Sequence, residues 1–166
     1  NFCDTDFVGV GPDGGKFGSA AALAEAVALR WPADRKGGGR RFVVCTGGEP
    51  LLQLDRAALD ALHGHGFEVA VETNGTIRAP AGIDWICVSP KSAAPLVQTA
   101  GDELKLVFPQ TGGAPDRFAQ LDFRHFFLQP MDGPDRERNT RLAIDYCLSH
   151  PRWRLSLQSH KALGIR

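Results

Sequence analysis

Thr46-Gly47-Gly48-Glu49-Pro50, Glu72-Thr73-Asn74-Gly75-Thr76, Ser89-Pro90-Lys91, Gln129-Pro130-Met131-Asp132 and Gln158-Ser159-His160-Lys161 each follow an apolar run. These residue types suit a small polar ligand. Paired glycines let backbone amides approach a ligand closely, and the Glu49 carboxylate beside them can accept from an ammonium group. Lys91 supplies the positive partner for a carboxylate, with the Ser89 hydroxyl as a second donor. An ammonium and a carboxylate together describe an amino-acid moiety. Each stretch also has a plain structural use: Gly47-Gly48 as a tight turn, Asn74-Gly75 as a favoured turn dipeptide, Ser89-Pro90 as the start of a loop, and His160 as a hydrogen-bonded structural histidine. No Gly-x-x-x-x-Gly-Lys-Ser/Thr and no Gly-x-Gly-x-x-Gly follows a strand, which removes the usual support for nucleoside triphosphate or nicotinamide binding.

The elements that must position these residues follow from hydrophobic patterning. Apolar and β-branched runs at Phe42–Thr46, Glu68–Thr73, Trp85–Val88, Leu104–Phe108, His125–Gln129 and Trp153–Gln158 predict buried strands of a mostly parallel sheet. Helical patterns lie between several of them. Ser19 can cap a helix to about Trp31, stopped by Pro32, and Asp55 a second carrying Ala58, Leu59 and Leu62, with Gly64 or Gly66 ending it. A third, from about Arg136 to His150, places Leu142, Ala143, Tyr146 and Cys147 on one face. Strands alternating with helices predict an α/β layered or barrel fold, whose ligands collect where the strands end.

With 166 residues and 43% apolar content the chain reads as one globular domain over 1–166, without repeat, low-complexity tract or dividing linker. The 19 Lys and Arg balance the 19 Asp and Glu, so no basic field gathers nucleic acid. No apolar run reaches the roughly 18 residues of a membrane span. Arg35-Lys36-Gly37-Gly38-Gly39-Arg40-Arg41 and the stretch from Pro109 to Asp116 read as loops. Cys45, Cys87 and Cys147 fall in apolar settings and are expected to be inert buried thiols, whereas Cys3, among Asp4, Thr5 and Asp6, stands where a thiolate could be used.

Cys3-Asp4-Thr5-Asp6, Thr46-Gly47-Gly48-Glu49-Pro50, Glu72-Thr73-Asn74-Gly75, Ser89-Pro90-Lys91, Gln129-Pro130 and Gln158-Ser159-His160-Lys161, in this order, resemble the radical S-adenosylmethionine (SAM) enzymes. Within that superfamily they most resemble the 7-carboxy-7-deazaguanine synthase family of queuosine and 7-deazapurine biosynthesis. The resemblance implies a shortened and elaborated partial (β/α)6 barrel, its first strand and part of its first helix missing here. It implies a carbon–nitrogen lyase that contracts the ring of 6-carboxy-5,6,7,8-tetrahydropterin to 7-carboxy-7-deazaguanine with loss of ammonia. The implied cofactors are a 4Fe-4S cluster, SAM and Mg²⁺; the implied partners are a reductant such as flavodoxin and a second copy of the chain, in the cytoplasm, with no direct nucleic-acid or membrane contact.

Carried over by position, Cys3 is the last of three cluster cysteines and Thr5 a Mg²⁺ ligand. The resemblance implies that Gly48, Glu49, Ser89, Pro90, Lys91 and Gln129-Pro130-Met131-Asp132 contact SAM, and that Thr46, His160 and, if it is the terminal residue, Arg166 contact the pterin. Asn1-Phe2-Cys3 looks like the tail of a Cys-x-x-Cys motif cut upstream, so the 166 residues alone are expected to be inactive and a full-length parent active. Two other readings stand beside this one: another radical SAM enzyme such as a glycyl-radical activase, or a non-catalytic α/β binding module.

Overall fold

The computed structural model describes residues 15–32, 39–91 and 94–164, apart from the side chains at 160 and 162. Its packing divides these into two compact units. One comprises the described residues up to 73 together with 78–86; the other comprises 74–77 and those from 87 onward.

In the first unit, α1 (Ala20–Arg30) starts where the Ser19 hydroxyl accepts from the Ala22 amide at 3.2 Å. Its alanine-rich sequence has high helix propensity, and it ends before Pro32 as the pattern predicts. Trp31, just past the helix, sets its ring edge-on to Phe67 at 5.7 Å. Strand β1 (Arg41–Cys45) is followed by α2 (Arg56–Gly64) and β2 (Phe67–Thr73), and β1 pairs with β2 in parallel from Arg41↔Phe67 to Cys45↔Val71. The predicted Asp55 cap is present, accepting from the Ala58 amide at 2.8 Å, and α2 buries Ala58, Leu59 and Leu62. Phe67, Val69, Ala70, Val71 and Thr73 of β2 are all buried, the pattern of a strand covered on both faces.

Asp84 ties a second segment to this strand. Its carboxylate accepts from the Val69 amide at 2.8 Å and lies 2.8 Å from His63 Nε2, while its own amide donates to the Val69 carbonyl. The Val69 hydrogen bond, with help from His63, holds the Asp84 carboxyl below the usual carboxylate range. A depressed carboxyl pKa stabilises the fold above the unfolded value near 3.9 and stops doing so as pH falls through the folded value. Asp84→Asn is therefore expected to lower the melting temperature at pH 7, with the difference from the parent shrinking as pH drops below about 4. A pH-independent difference in thermal melts would remove the ionised carboxylate from this account.

The chain passes between the units within β3 (Trp85–Val88). In the second unit Cys87 and Val88 of β3 pair in parallel with β4 (Ala100–Phe108), β4 with β5 (Asp122–Pro130), and β5 with β6 (Trp153–Leu155). Helices α3 (Arg136–Ser149) and α4 (Ser159–Leu163) complete it. Val88, Leu104, Leu106, Phe126, Leu128, Ala143 and Trp153 form its buried interior. The predicted Asn74-Gly75 turn is present: Gly75 takes φ +79°, its carbonyl accepts from the Val97 and Gln98 amides, and Asn74 Oδ1 accepts from the Thr76 amide at 2.8 Å.

Several expectations need correction. β6 ends at Leu155 rather than Gln158, because its ladder with β5 runs only from Phe126↔Trp153 to Leu128↔Leu155. β4 and β5 begin earlier than predicted, since Ala100 and Gly101 pair with Asp122 and Phe123. α3 turns Asn139 and Ala143 inward and leaves Leu142 exposed. Among the described thiols only Cys87 is buried; Cys45 and Cys147 are half-buried, and burial pushes both upward in pKa, away from the reactive thiolate. None of these three forms a disulfide. Of the predicted loops, residues 33–38 lie outside the described residues; Arg40 is exposed and pairs with Glu68, and Pro115–Arg117 forms a short 3-10 turn.

Candidate functional site

The parallel pairing of β1 and β2 brings their C-terminal ends to the same side of the first unit. Thr46, Gly47, Gly48 and Glu49 leave β1 there, and Thr73 closes β2. Thr46 and Gly48 are exposed. Gly47 has φ +126°, which L side chains rarely adopt, and a Cβ built on it meets nothing within 4 Å. The backbone next to Glu49 is therefore bare and open, the condition for a ligand to approach main-chain groups closely. Pro50 and Leu51, both buried, form a short 3-10 turn with Leu52. Glu49 caps that turn, its Oε1 accepting from the Leu51 amide at 3.1 Å. The same oxygen accepts from the buried Thr73 hydroxyl at 2.7 Å.

In the second unit the ends of β3, β4 and β5 are likewise carried to one side by parallel registers. Ser89 and Lys91 leave β3 half-buried around a buried Pro90. The Pro90 carbonyl accepts from Gln110 Nε2 at 3.4 Å, joining the exits of β3 and β4. Gln129 and Pro130 end β5, and Met131 and Asp132 follow. The Met131 amide donates to the Phe108 carbonyl at 2.8 Å, and its carbonyl accepts from Asn139 Nδ2 of α3 at 2.9 Å. Lys161 Nζ reaches Asp132 Oδ2 at 2.6 Å, joining α4 to this loop; that ammonium holds the Asp132 carboxyl below its ordinary range.

Cys3, Thr5 and Arg166 lie outside the described residues, as does the side chain of His160. Among the described residues no group of His, Cys, Asp and Glu could hold a metal ion. No described helix is long and apolar enough to cross a membrane. Thr73, Gln110, Asn139 and Lys161 had no individual role in the sequence reading. For Thr73 a signal existed: in a parallel pair, residues closing adjacent strands are neighbours. Asn139 is hidden from any search for apolar periodicity because it is polar.

Lys161 is expected to anchor α4. Lys161→Met should quicken amide exchange across Ser159–Leu163 while lowering global stability by less than about 1 kcal/mol, because the pair is partly exposed. Unchanged exchange in α4 would assign its order to other contacts.

Parallel strands with helices between them, and polar residues at the strand exits of each unit, define an α/β protein. No protein-family profile matches the chain. It is 67% identical over 165 residues to 7-carboxy-7-deazaguanine synthase of Caulobacter vibrioides, covering 99% of this chain and 77% of that protein. The identity to the synthase of Bordetella pertussis is 62% over 168 residues, with the same coverage. Among solved structures, the crystal structure of QueE from Escherichia coli matches with a TM-score of 0.63 at 27% identity, over 84% of this chain; the chain spans 63% of that structure. The chain belongs to the 7-carboxy-7-deazaguanine synthase family.

Proposed function

We infer that this chain is the core of an enzyme converting 6-carboxy-5,6,7,8-tetrahydropterin to 7-carboxy-7-deazaguanine, with loss of ammonia, for queuosine and related deazapurines. The observation that carries the reading is the exit of β1, where Gly47 leaves bare backbone beside a Glu49 carboxylate held in place by two donors. That donor and acceptor set fits the methionyl end of SAM. The 4Fe-4S cluster and Mg²⁺, which would involve Cys3 and Thr5, are supported by the family resemblance alone.

When bound, SAM and a 4Fe-4S cluster would supply hydrogen-atom abstraction from substrate carbon. The chain's own residues bind and orient. The Glu49 carboxylate accepts from the methionyl ammonium. Lys91 pairs with the methionyl carboxylate, and the Ser89 hydroxyl donates beside it. Gly48 and Pro90 offer close-approaching backbone, and Gln129-Pro130-Met131-Asp132 supplies a further wall held by Phe108 and Asn139. Thr46 and His160 contact the pterin, with Arg166 at its amino edge if it is the terminal residue, and Thr5 gives Mg²⁺ a hard oxygen donor that would tether the substrate.

In this reading residues 1–166 form a single partial (β/α)6 radical SAM core. It works in the cytoplasm as a homodimer and is reduced by a donor such as flavodoxin.

The test is anaerobic reconstitution of the full-length enzyme with iron and sulfide, then assay with SAM, dithionite, Mg²⁺ and 6-carboxy-5,6,7,8-tetrahydropterin. The expected result is 7-carboxy-7-deazaguanine without net consumption of SAM. A cluster-loaded enzyme that cleaves SAM and leaves the pterin untouched overturns the reading.

A further inference from the structure

Thr73 is 2% exposed, and a hydroxyl so buried requires a partner. Its proton goes to Glu49 Oε1 at 2.7 Å, the short distance typical of a hydroxyl donating to a carboxylate. The same oxygen also accepts from the Leu51 amide at 3.1 Å, from a turn of three residues. Those two donors differ in what anchors them. Leu51 belongs to the same short turn that Glu49 itself caps. Thr73 stands on β2, whose Val69 and Val71 are fully buried and whose backbone is laddered to β1. A glutamate side chain loses considerable rotamer freedom on being fixed, so a carboxylate already held by a rigid strand binds a cation at lower entropic cost.

We propose that Thr73 is a positioning residue: its hydroxyl, fixed on β2, orients the Glu49 carboxylate toward the ammonium of an amino-acid-like ligand, SAM in the function inferred above, on which this proposal rests. Thr73 touches neither ligand in this account and acts entirely through Glu49.

The experiment measures SAM affinity by calorimetry in the cluster-loaded, full-length enzyme, alongside KM values for SAM and the pterin and thermal melts. Thr73→Val keeps the shape and removes the donor; it is expected to weaken SAM binding about tenfold and raise the SAM KM, leaving the pterin KM in place. Thr73→Ser restores the donor and is expected to bind within about threefold of the parent. In a Glu49→Ala background, Thr73→Val is expected to add no further loss, since the group it orients is gone. Parent-like SAM affinity in Thr73→Val overturns the proposal, as does a loss that persists in full in the Glu49→Ala background or equal damage in the Ser variant. A parent enzyme that binds no SAM at all instead overturns the functional reading beneath it.

Discussion

Phe126→Ala should destabilise the protein by about 4 kcal/mol, the cost of emptying an aromatic-sized hole that rigid neighbours cannot close. Phe126 is 1% exposed, at the register point where β5 meets Leu104 of β4 and Trp153 of β6. Its ring lies edge-on to Trp153 at 5.2 Å and to Phe123 at 6.2 Å. The Arg152 guanidinium sits 4.1 Å from the ring centre, held there by hydrogen bonds to the Ala119 and Leu121 carbonyls. Truncation therefore removes apolar burial, two aromatic contacts and a cation–π contact together. For a chain of this size the melting temperature should fall by about 10 °C. Phe126→Leu, which keeps most of the volume, should cost less than half as much; equal losses in the two variants would mean that the site collapses and that the rigid-neighbour argument is wrong.

Gly75→Ala is expected to cost about 3 kcal/mol through two separate effects. At φ +79° an L side chain is strained against its own backbone, and a Cβ there comes within 2.6 Å of Leu96 Cδ1 and 2.7 Å of Val88 Cγ1. Val88 is fully buried in a strand, so it has little room to retreat. Gly47→Ala provides the comparison, because its φ of +126° is also unfavourable but open space surrounds the new methyl group. That variant should lose only the backbone strain, about 1–2 kcal/mol. Denaturant unfolding of both variants separates crowding from strain; matching losses would leave no part for Leu96 and Val88.

The caps at Ser19 and Asp55 and the Asn74-Gly75 turn were legible because each is a local event, decided by a side chain and amides within three residues of it. Strand extents were less so. Ala100-Gly101-Asp102-Glu103 has turn-like composition, yet it extends because β5 offers a ladder from Asp122. Conversely, Ser156-Leu157-Gln158 alternates as a strand would, but the register with β5 stops at Leu155. The inward face of α3 was legible at Ala143 but not at Asn139, for a related reason: Asn139 is buried to serve the Met131 carbonyl, and a count of apolar residues passes over it. At the candidate site, the strand exits could be read from patterning and the glycine and carboxylate chemistry from residue type. The link from Thr73 to Glu49 is not visible from residue type alone, since it follows only when β1 and β2 are set side by side in parallel.

The peptide groups at Met131 are clamped from two directions, the amide by Phe108 and the carbonyl by Asn139. Neither contact involves the methionine side chain. Position 131 thus offers variability without loss of architecture: its side chain can be exchanged while the path of the loop is dictated by its neighbours. Position 139 carries the opposite burden, since one amide group there governs the course of a segment eight residues away.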